Sequence, residues 1–193
     1  MKIIGITGGI GSGKSTICKV FESLGIPVFN ADEVAKSIYD VDAETFSRVR
    51  EVFGDEVITN GKVNRTELAK RVFDHRDELA KLNAIVHPLV RKHFKEWMSK
   101  QTAPYVLREA AILIESGTHV DCDKIILVSA EEETRIQRVM QRNKISEQEV
   151  RSRIANQWTD EQRRPFCHYE IRNDQDQLVL GDIYRIHQEL ISF

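Results

Sequence analysis

The chain opens on an apolar run, Ile3 to Thr7, with no polar alternation, a pattern that predicts a strand buried on both faces. Glycines follow at once. Lys14 to Leu24 then carries apolar residues at helical spacing and stops at Gly25, a residue suited to helix C-termini. Val28 to Asn30, after Pro27, predicts a second strand. From Ala31 to about Met98 the spacing turns helical: Val34, Ile38 and Val41, then Phe46, Val49 and Phe53, then Leu68 and Val72, then Leu79, Leu82 and Ile85, then Val90, Phe94 and Trp97. Its one break, Val57 to Val63, holds the turn signal Asn60-Gly61. His87-Pro88 is expected to start the last helix, because proline at the first helical position gives up only an orphan N–H. A helical insertion thus follows the second strand and is a candidate substrate-holding module.

After Pro104, Tyr105 to Leu107 and Lys124 to Ser129 read as strands. The second contains Ile125, Ile126, Leu127 and Val128 in succession, as in a parallel sheet covered on both sides. Ser129 with Glu132 forms a capping-box pattern for a helix to about Arg142, and Ser146 with Glu149 repeats it for a helix to about Trp158. These helices carry Arg135, Arg138, Arg142, Arg151 and Arg153, most of them readable as solvated partners of nearby glutamates. A short strand, Tyr169 to Ile171, leads to a helix with Val179, Ile183, Ile186 and Leu190 on one face, weakened by Gly181. Strands alternating with helices predict an α/β fold.

Composition narrows the function classes. The 193 residues suit one compact unit with insertions, and 41% hydrophobic against 30% charged residues excludes intrinsic disorder. A net charge of −2 supplies no global positive field for nucleic acid, though a local anion site remains open. The three cysteines, Cys18, Cys122 and Cys167, form no CxxC pair, which argues for a reducing compartment. No apolar stretch reaches the roughly 20 residues needed to cross a bilayer, and the opening run meets glycine too early for a signal-peptide core. The expectation is a cytoplasmic protein with no membrane partner.

The candidate chemistry is concentrated in Gly8-Gly9-Ile10-Gly11-Ser12-Gly13-Lys14-Ser15, followed by Thr16, a full G-x-x-x-x-G-K-[ST] phosphate loop between a predicted strand and a predicted helix. Gly11, Ser12, Gly13, Lys14, Ser15 and Thr16 are the candidate ATP-binding residues. The glycines let successive N–H groups turn toward phosphate oxygens at a helix N-terminus. Lys14 adds a full charge, and the Ser15 hydroxyl can ligate Mg²⁺. A dinucleotide fingerprint is set aside because the third glycine of G-x-G-x-x-G is missing. Asn143-Lys144-Ile145-Ser146 lacks the aspartate of the guanine-reading motif, and no D-x-x-G sequence occurs, which argues against a GTPase.

Asp32 falls just past the second strand, on the carboxyl edge expected to hold the phosphate loop. A carboxylate there can accept the proton of an attacking hydroxyl. Alternatively, Asn30 caps the next helix while Asp32 and Glu33 complement its dipole. The paired helices from Glu131 to Trp158 resemble the arginine-bearing lid of small-molecule kinases, with Arg142 and Arg138 the better candidates for contact with the phosphoryl group.

Taken in order, Ile6 to Thr16, Gly25 to Val28, Asn30-Ala31-Asp32-Glu33, Arg65, His87-Pro88-Leu89-Val90-Arg91, Ile112 to Gly117 and the Arg138/Arg142 helix resemble the dephospho-coenzyme A kinase family over nearly the whole chain. The resemblance implies a P-loop NTPase-like three-layer fold with a five-stranded parallel sheet. It implies a single domain with its core at 1–31, 104–130 and 166–193, a helical coenzyme A-binding insertion at 32–103 and a helical lid at 131–165. It further implies transfer of the ATP γ-phosphate to the ribose 3′-hydroxyl of dephospho-coenzyme A, with Mg²⁺. Asp32, Lys14 and Arg142 would be catalytic, and Asn173 would lie near adenine, although Asn173-Asp174 also makes an ordinary turn. Arg65, His87, Arg91 and Arg138 are candidate substrate-binding residues, with solvent exposure or helix initiation as the simpler roles for the first three. Two departures stand out: Asn30 replaces a frequent aspartate, and the segment Arg108 to Ala111 leaves a water-mediated Mg²⁺ role for Glu109 open. A kinase for another acceptor, such as a nucleoside monophosphate, and a nucleotide-binding regulatory protein are the alternative functions.

Overall fold

Strand β1 (Lys2–Thr7) runs into the glycine loop, helix α1 (Lys14–Ser23) returns along the sheet, and β2 (Val28–Asn30) follows. The computed structural model describes residues 1–73, 75–174 and 178–193, apart from the side chains at positions 40, 41, 73 and 76. The chain divides into two compact units, one of residues 1–30 with 101–193 and the other of residues 31–100.

The second unit contains α2 (Ala31–Val41), α3 (Ala43–Phe53), the hairpin β3 (Ile58–Thr59) and β4 (Lys62–Val63), α4 (Arg65–Phe73) and α5 (Arg76–Met98). The expected turn closes the hairpin, with positive φ at Asn60 and Gly61. Helices α2, α3 and α4 all pack on α5. Ile38, Val49, Phe53, Leu68, Val72, Leu82, Ile85, Val90 and Phe94 are buried as the periodicity requires, whereas Leu79 is exposed. Val41, predicted on the same apolar stripe, has its side chain outside the described residues. Contrary to expectation, His87-Pro88 does not start a helix: Pro88 lies inside the continuous α5. Burial of Leu82, Ile85 and Val86 before the proline, and of Val90 and Phe94 after it, holds both halves in line. Ala84, four residues before the proline, and Pro88 itself are both exposed, so the carbonyl that loses its helical donor lies on the solvent side.

Asp42 caps α3, its carboxylate accepting from the Thr45 N–H at 2.7 Å and the Thr45 hydroxyl at 2.5 Å. These hydrogen bonds hold Asp42 below the ordinary carboxylate value. A depressed folded-state value means that the cap contributes fully above about pH 4 and is lost as pH falls through that lower value. Asp42→Ala should therefore cost about 1 kcal/mol at neutral pH. Urea unfolding of both proteins at pH 7 and pH 3 checks this; a difference that stays constant with pH would remove the cap as its cause.

The chain re-enters the first unit through β5 (Tyr105–Glu109), β6 (Lys124–Ser129), α6 (Glu132–Asn143), α7 (Glu147–Ala155), α8 (Asp160–Arg163), β7 (Tyr169–Arg172) and α9 (Leu180–Ser192). The five long strands form one parallel sheet of order β2-β5-β1-β6-β7. Ile4, Ile6, Leu107, Ile126, Val128 and Ile171 bury against Ile17 and Phe21 of α1 and Ile183, Ile186 and Leu190 of α9. Strand β5 runs two residues beyond the expected Leu107, taking Arg108 and Glu109 into the buried sheet. The Ser146/Glu149 capping box opens α7 as predicted, but the Ser129/Glu132 box does not form. Ser129 stays in β6, Glu131 takes the N-cap position of α6 without a side-chain cap, and Asp174 accepts from the Glu131 N–H at 2.8 Å from the segment after β7.

Candidate active site

Because every long strand runs the same way, β1, β2, β5, β6 and β7 all end on one edge, and β1 is central. The glycine loop leaves that edge. Gly11 and Gly13 have φ of 81° and 93°, a left-handed region that side-chain-bearing residues rarely adopt. Gly13 precedes α1, whose first turn holds no acidic residue, so the positive helix end is left to an anion. The Lys14 ammonium donates to the Gly8 carbonyl at 2.8 Å and the Gly9 carbonyl at 3.3 Å, which places its charge over the loop.

Beside the loop, Ser15 Oγ donates to Glu109 Oε1 at 3.1 Å, and Asn30 Nδ2 donates to Glu109 Oε2 at 3.0 Å. Strand register explains the meeting, since Glu109 pairs with Ile6 on one side and Asn30 on the other. Glu109 is only 5% exposed. Burial, reinforced by the Glu109 charge, pushes the nearby Cys18 thiol far above its ordinary value and keeps it protonated.

The loop's outer side is held by residues distant in sequence. Asn173 Nδ2 donates to the Ser12 carbonyl at 2.8 Å, and Arg138 reaches the same oxygen at 3.5 Å. Arg142, one turn further along α6, is exposed and donates to Asn143 Oδ1 at 2.9 Å. Arg151 meets Glu147 as an i,i+4 pair, as expected for a solvated arginine. Arg135 departs from that expectation, being 7% exposed and packed beneath the loop. A Cβ on Gly9 would lie 2.4 Å from its guanidinium, and one on Gly11 would lie 2.5 Å from its carbonyl oxygen. Arg135 faces Asp160 at 3.8 Å, Asp160 meets Arg163 at 3.3 Å, and the fully buried Arg163 meets Glu115 at 2.6 Å. Sequence reasoning missed this buried chain. Its only local signal is the apolar segment around Glu115, because an arginine in a charged stretch normally reads as solvated.

The remaining candidates belong to the second unit. Asp32 is half-buried in the first turn of α2, directly after β2 in the chain, and Arg65 opens α4. The Arg65 charge is felt at Tyr39, whose hydroxyl is nevertheless raised by burial. His87 and Arg91 stand four residues apart on α5 and so share a helix face. Among the described residues no helix is long and apolar enough to cross a membrane.

A glycine loop leaving the central strand of a parallel sheet, with a lysine over it and a buried carboxylate on its serine, defines a P-loop nucleotide-binding protein. The sequence profile of the family described as "Dephospho-CoA kinase" matches residues 2–178. The chain is 39% identical over 191 residues to a dephospho-CoA kinase of Pasteurella multocida, covering 98% of this chain and 92% of that one. Among solved structures, a Thermus thermophilus protein superposes with a TM-score of 0.86 at 34% identity, covering 99% of this chain and 96% of its own. A dephospho-CoA kinase from Campylobacter jejuni gives 0.71 at 25% identity, covering 100% and 98% respectively. The chain belongs to the dephospho-CoA kinase family.

Proposed function

We propose that this chain transfers the γ-phosphate of ATP to the ribose 3′-hydroxyl of dephospho-coenzyme A, yielding coenzyme A and ADP. The observation that carries the reading is the phosphate loop with Lys14 over it and Ser15 on Glu109, in a chain of this family. In the step itself the 3′-oxygen attacks the γ-phosphorus, the bond to the β-phosphate oxygen breaks, and Asp32 takes the hydroxyl proton. The N–H groups from Gly11 to Thr16 and the Lys14 ammonium hold the phosphates. Arg142 and Arg138 neutralise charge on the group in flight from a lid formed by residues 131–165, and Asn173 borders the adenine. Arg65, His87 and Arg91 take the acceptor within the helical insertion of residues 32–103.

The Ser15 hydroxyl and the Glu109 carboxylate supply adjacent hard oxygens beside the phosphates, a donor set that fits Mg²⁺. Ser15 would hold the ion directly and Glu109 through water. Bound there, Mg²⁺ supplies neutralisation of the β- and γ-phosphate charge. The reading includes a cytoplasmic location, supported by three free thiols, and no nucleic-acid partner, supported by the net charge of −2.

The test is ADP release from MgATP with dephospho-coenzyme A, beside adenosine, AMP, CMP and a no-acceptor control, with the product identified by mass. ADP formed only with dephospho-coenzyme A, together with coenzyme A, is the expected result. Turnover of AMP or CMP instead would replace the acceptor, and ADP release without any acceptor would favour a nucleotide-hydrolysing regulator.

A further inference from the structure

The phosphate loop is held in part by its own hydrogen bonds, from the Ser12 N–H to the Gly9 carbonyl and from the Lys14 ammonium to the Gly8 and Gly9 carbonyls. Four of its first six residues are glycine, the residue that loses most conformational freedom when its backbone is fixed. Contacts from outside the loop add to its order, and one of them does more than restrain it. The Ile10 N–H donates to Gln157 Oε1 at 2.8 Å, across 147 residues of sequence. The side chain of Ile10 packs into the small apolar cluster of α6 and α7, formed by Ile136, Val139 and Val150 with Ile145 and Ile154. Gln157 stands just beyond α7, its own N–H bonded to the Ile154 carbonyl at 3.0 Å.

A trans peptide is planar, so the Ile10 N–H and the Gly9 carbonyl are opposite ends of one rigid plate. The Gly9 carbonyl accepts from the Ser12 N–H at 3.2 Å, which closes the turn of the loop, and from the Lys14 ammonium at 3.3 Å. Holding one end of the plate therefore aims the other at Lys14. Aligned peptide hydrogen bonds also polarise one another, which strengthens the carbonyl as an acceptor. Arg135 lies against the same stretch, leaving no room for a side chain on Gly9 or Gly11.

We propose that Gln157 is a positioning residue for phosphoryl transfer: through the Gly9–Ile10 peptide it sets the turn of the phosphate loop and the place of the Lys14 ammonium, coupling both to the segment that follows α7. The reacting atoms are touched by Lys14, and Gln157 acts only through it. The kinetic part rests on the kinase reading above; the loop geometry does not.

The experiment compares wild type with Gln157→Ala and Gln157→Glu. In Gln157→Ala the Ile10 amide should exchange with solvent at least tenfold faster in the ligand-free protein, by NMR. The kcat should fall about three- to tenfold, the worth of one such hydrogen bond. The KM for dephospho-coenzyme A should stay at its wild-type value, and the melting temperature should fall by no more than about 5 °C. Glutamate keeps an accepting oxygen, so Gln157→Glu should restore protection of Ile10. Unchanged Ile10 exchange in Gln157→Ala would overturn the proposal, as would a kcat loss accompanied by an equal rise in acceptor KM and a larger fall in melting temperature. If the alanine variant does not fold, Gln157→Met, similar in volume but without the oxygen, takes its place with the same expected and contrary outcomes. If wild type proves inactive toward dephospho-coenzyme A, the kinase reading fails, whereas Ile10 exchange and ADP affinity still decide whether Gln157 sets the loop.

Discussion

Lys14→Ala is expected to lower kcat/KM for ATP by at least about 10²-fold, the loss found when one pre-placed electrostatic donor is removed from a transition state. The reason is positional. Lys14 begins α1 directly after Gly13, and its ammonium is already turned back over the Gly8 and Gly9 carbonyls at 2.8 and 3.3 Å. It therefore needs little reorganisation to meet the β- and γ-phosphates, and alanine removes the one full charge that the loop itself supplies. Both nucleotide affinity and transfer should suffer, because the charge acts on bound ATP and more strongly on the charge that shifts during transfer. Steady-state kinetics with ATP varied, together with calorimetric titration of ADP, checks this. Unchanged values in both would reject the phosphate-loop reading.

Asp32→Asn should behave differently. The amide matches the carboxylate in size but cannot take a proton, so ATP binding should persist while kcat falls by about 10² to 10⁴. Asp32 is half-buried in the first turn of α2, where a carboxylate also complements the helix dipole, and asparagine would cost only a fraction of a kcal/mol there. The two roles separate in one comparison of turnover and ADP affinity. Near wild-type turnover would leave Asp32 as a helix-end residue and move the search for a base elsewhere.

The contrast between these residues follows how much of the site was legible in the amino-acid order. The phosphate loop was legible in full, because its chemistry is local: glycines at fixed offsets, a lysine and a serine, between an unbroken apolar strand and an amphipathic helix. The parallel sheet was legible for the same reason, since Ile125 to Val128 has no solvent face to mark. The α7 capping box forms as its pattern predicts, whereas the same pattern at Ser129 and Glu132 does not, because β6 keeps Ser129 and Asp174 instead holds the Glu131 N–H that precedes α6. Pro88 shows the same competition. Proline favours a helix start locally, but apolar side chains buried on both sides of it outweigh one missing hydrogen bond on a solvated face.

The sequence alone determined the α/β class and the phosphate-loop motif with its lysine and serine, because each depends on neighbours within a few residues. It also carried enough ordered motifs to resemble one family. Tertiary structure decided what surrounds the loop: Glu109 on Ser15, Asn173 and Arg138 on the Ser12 carbonyl, Gln157 on the Ile10 N–H, and the buried run from Arg135 to Glu115. These partners come from separate strand ends and helices, and only the strand order β2-β5-β1-β6-β7 brings them to one edge. Periodicity records which face of an element is buried; it carries no record of which distant residue will meet it there.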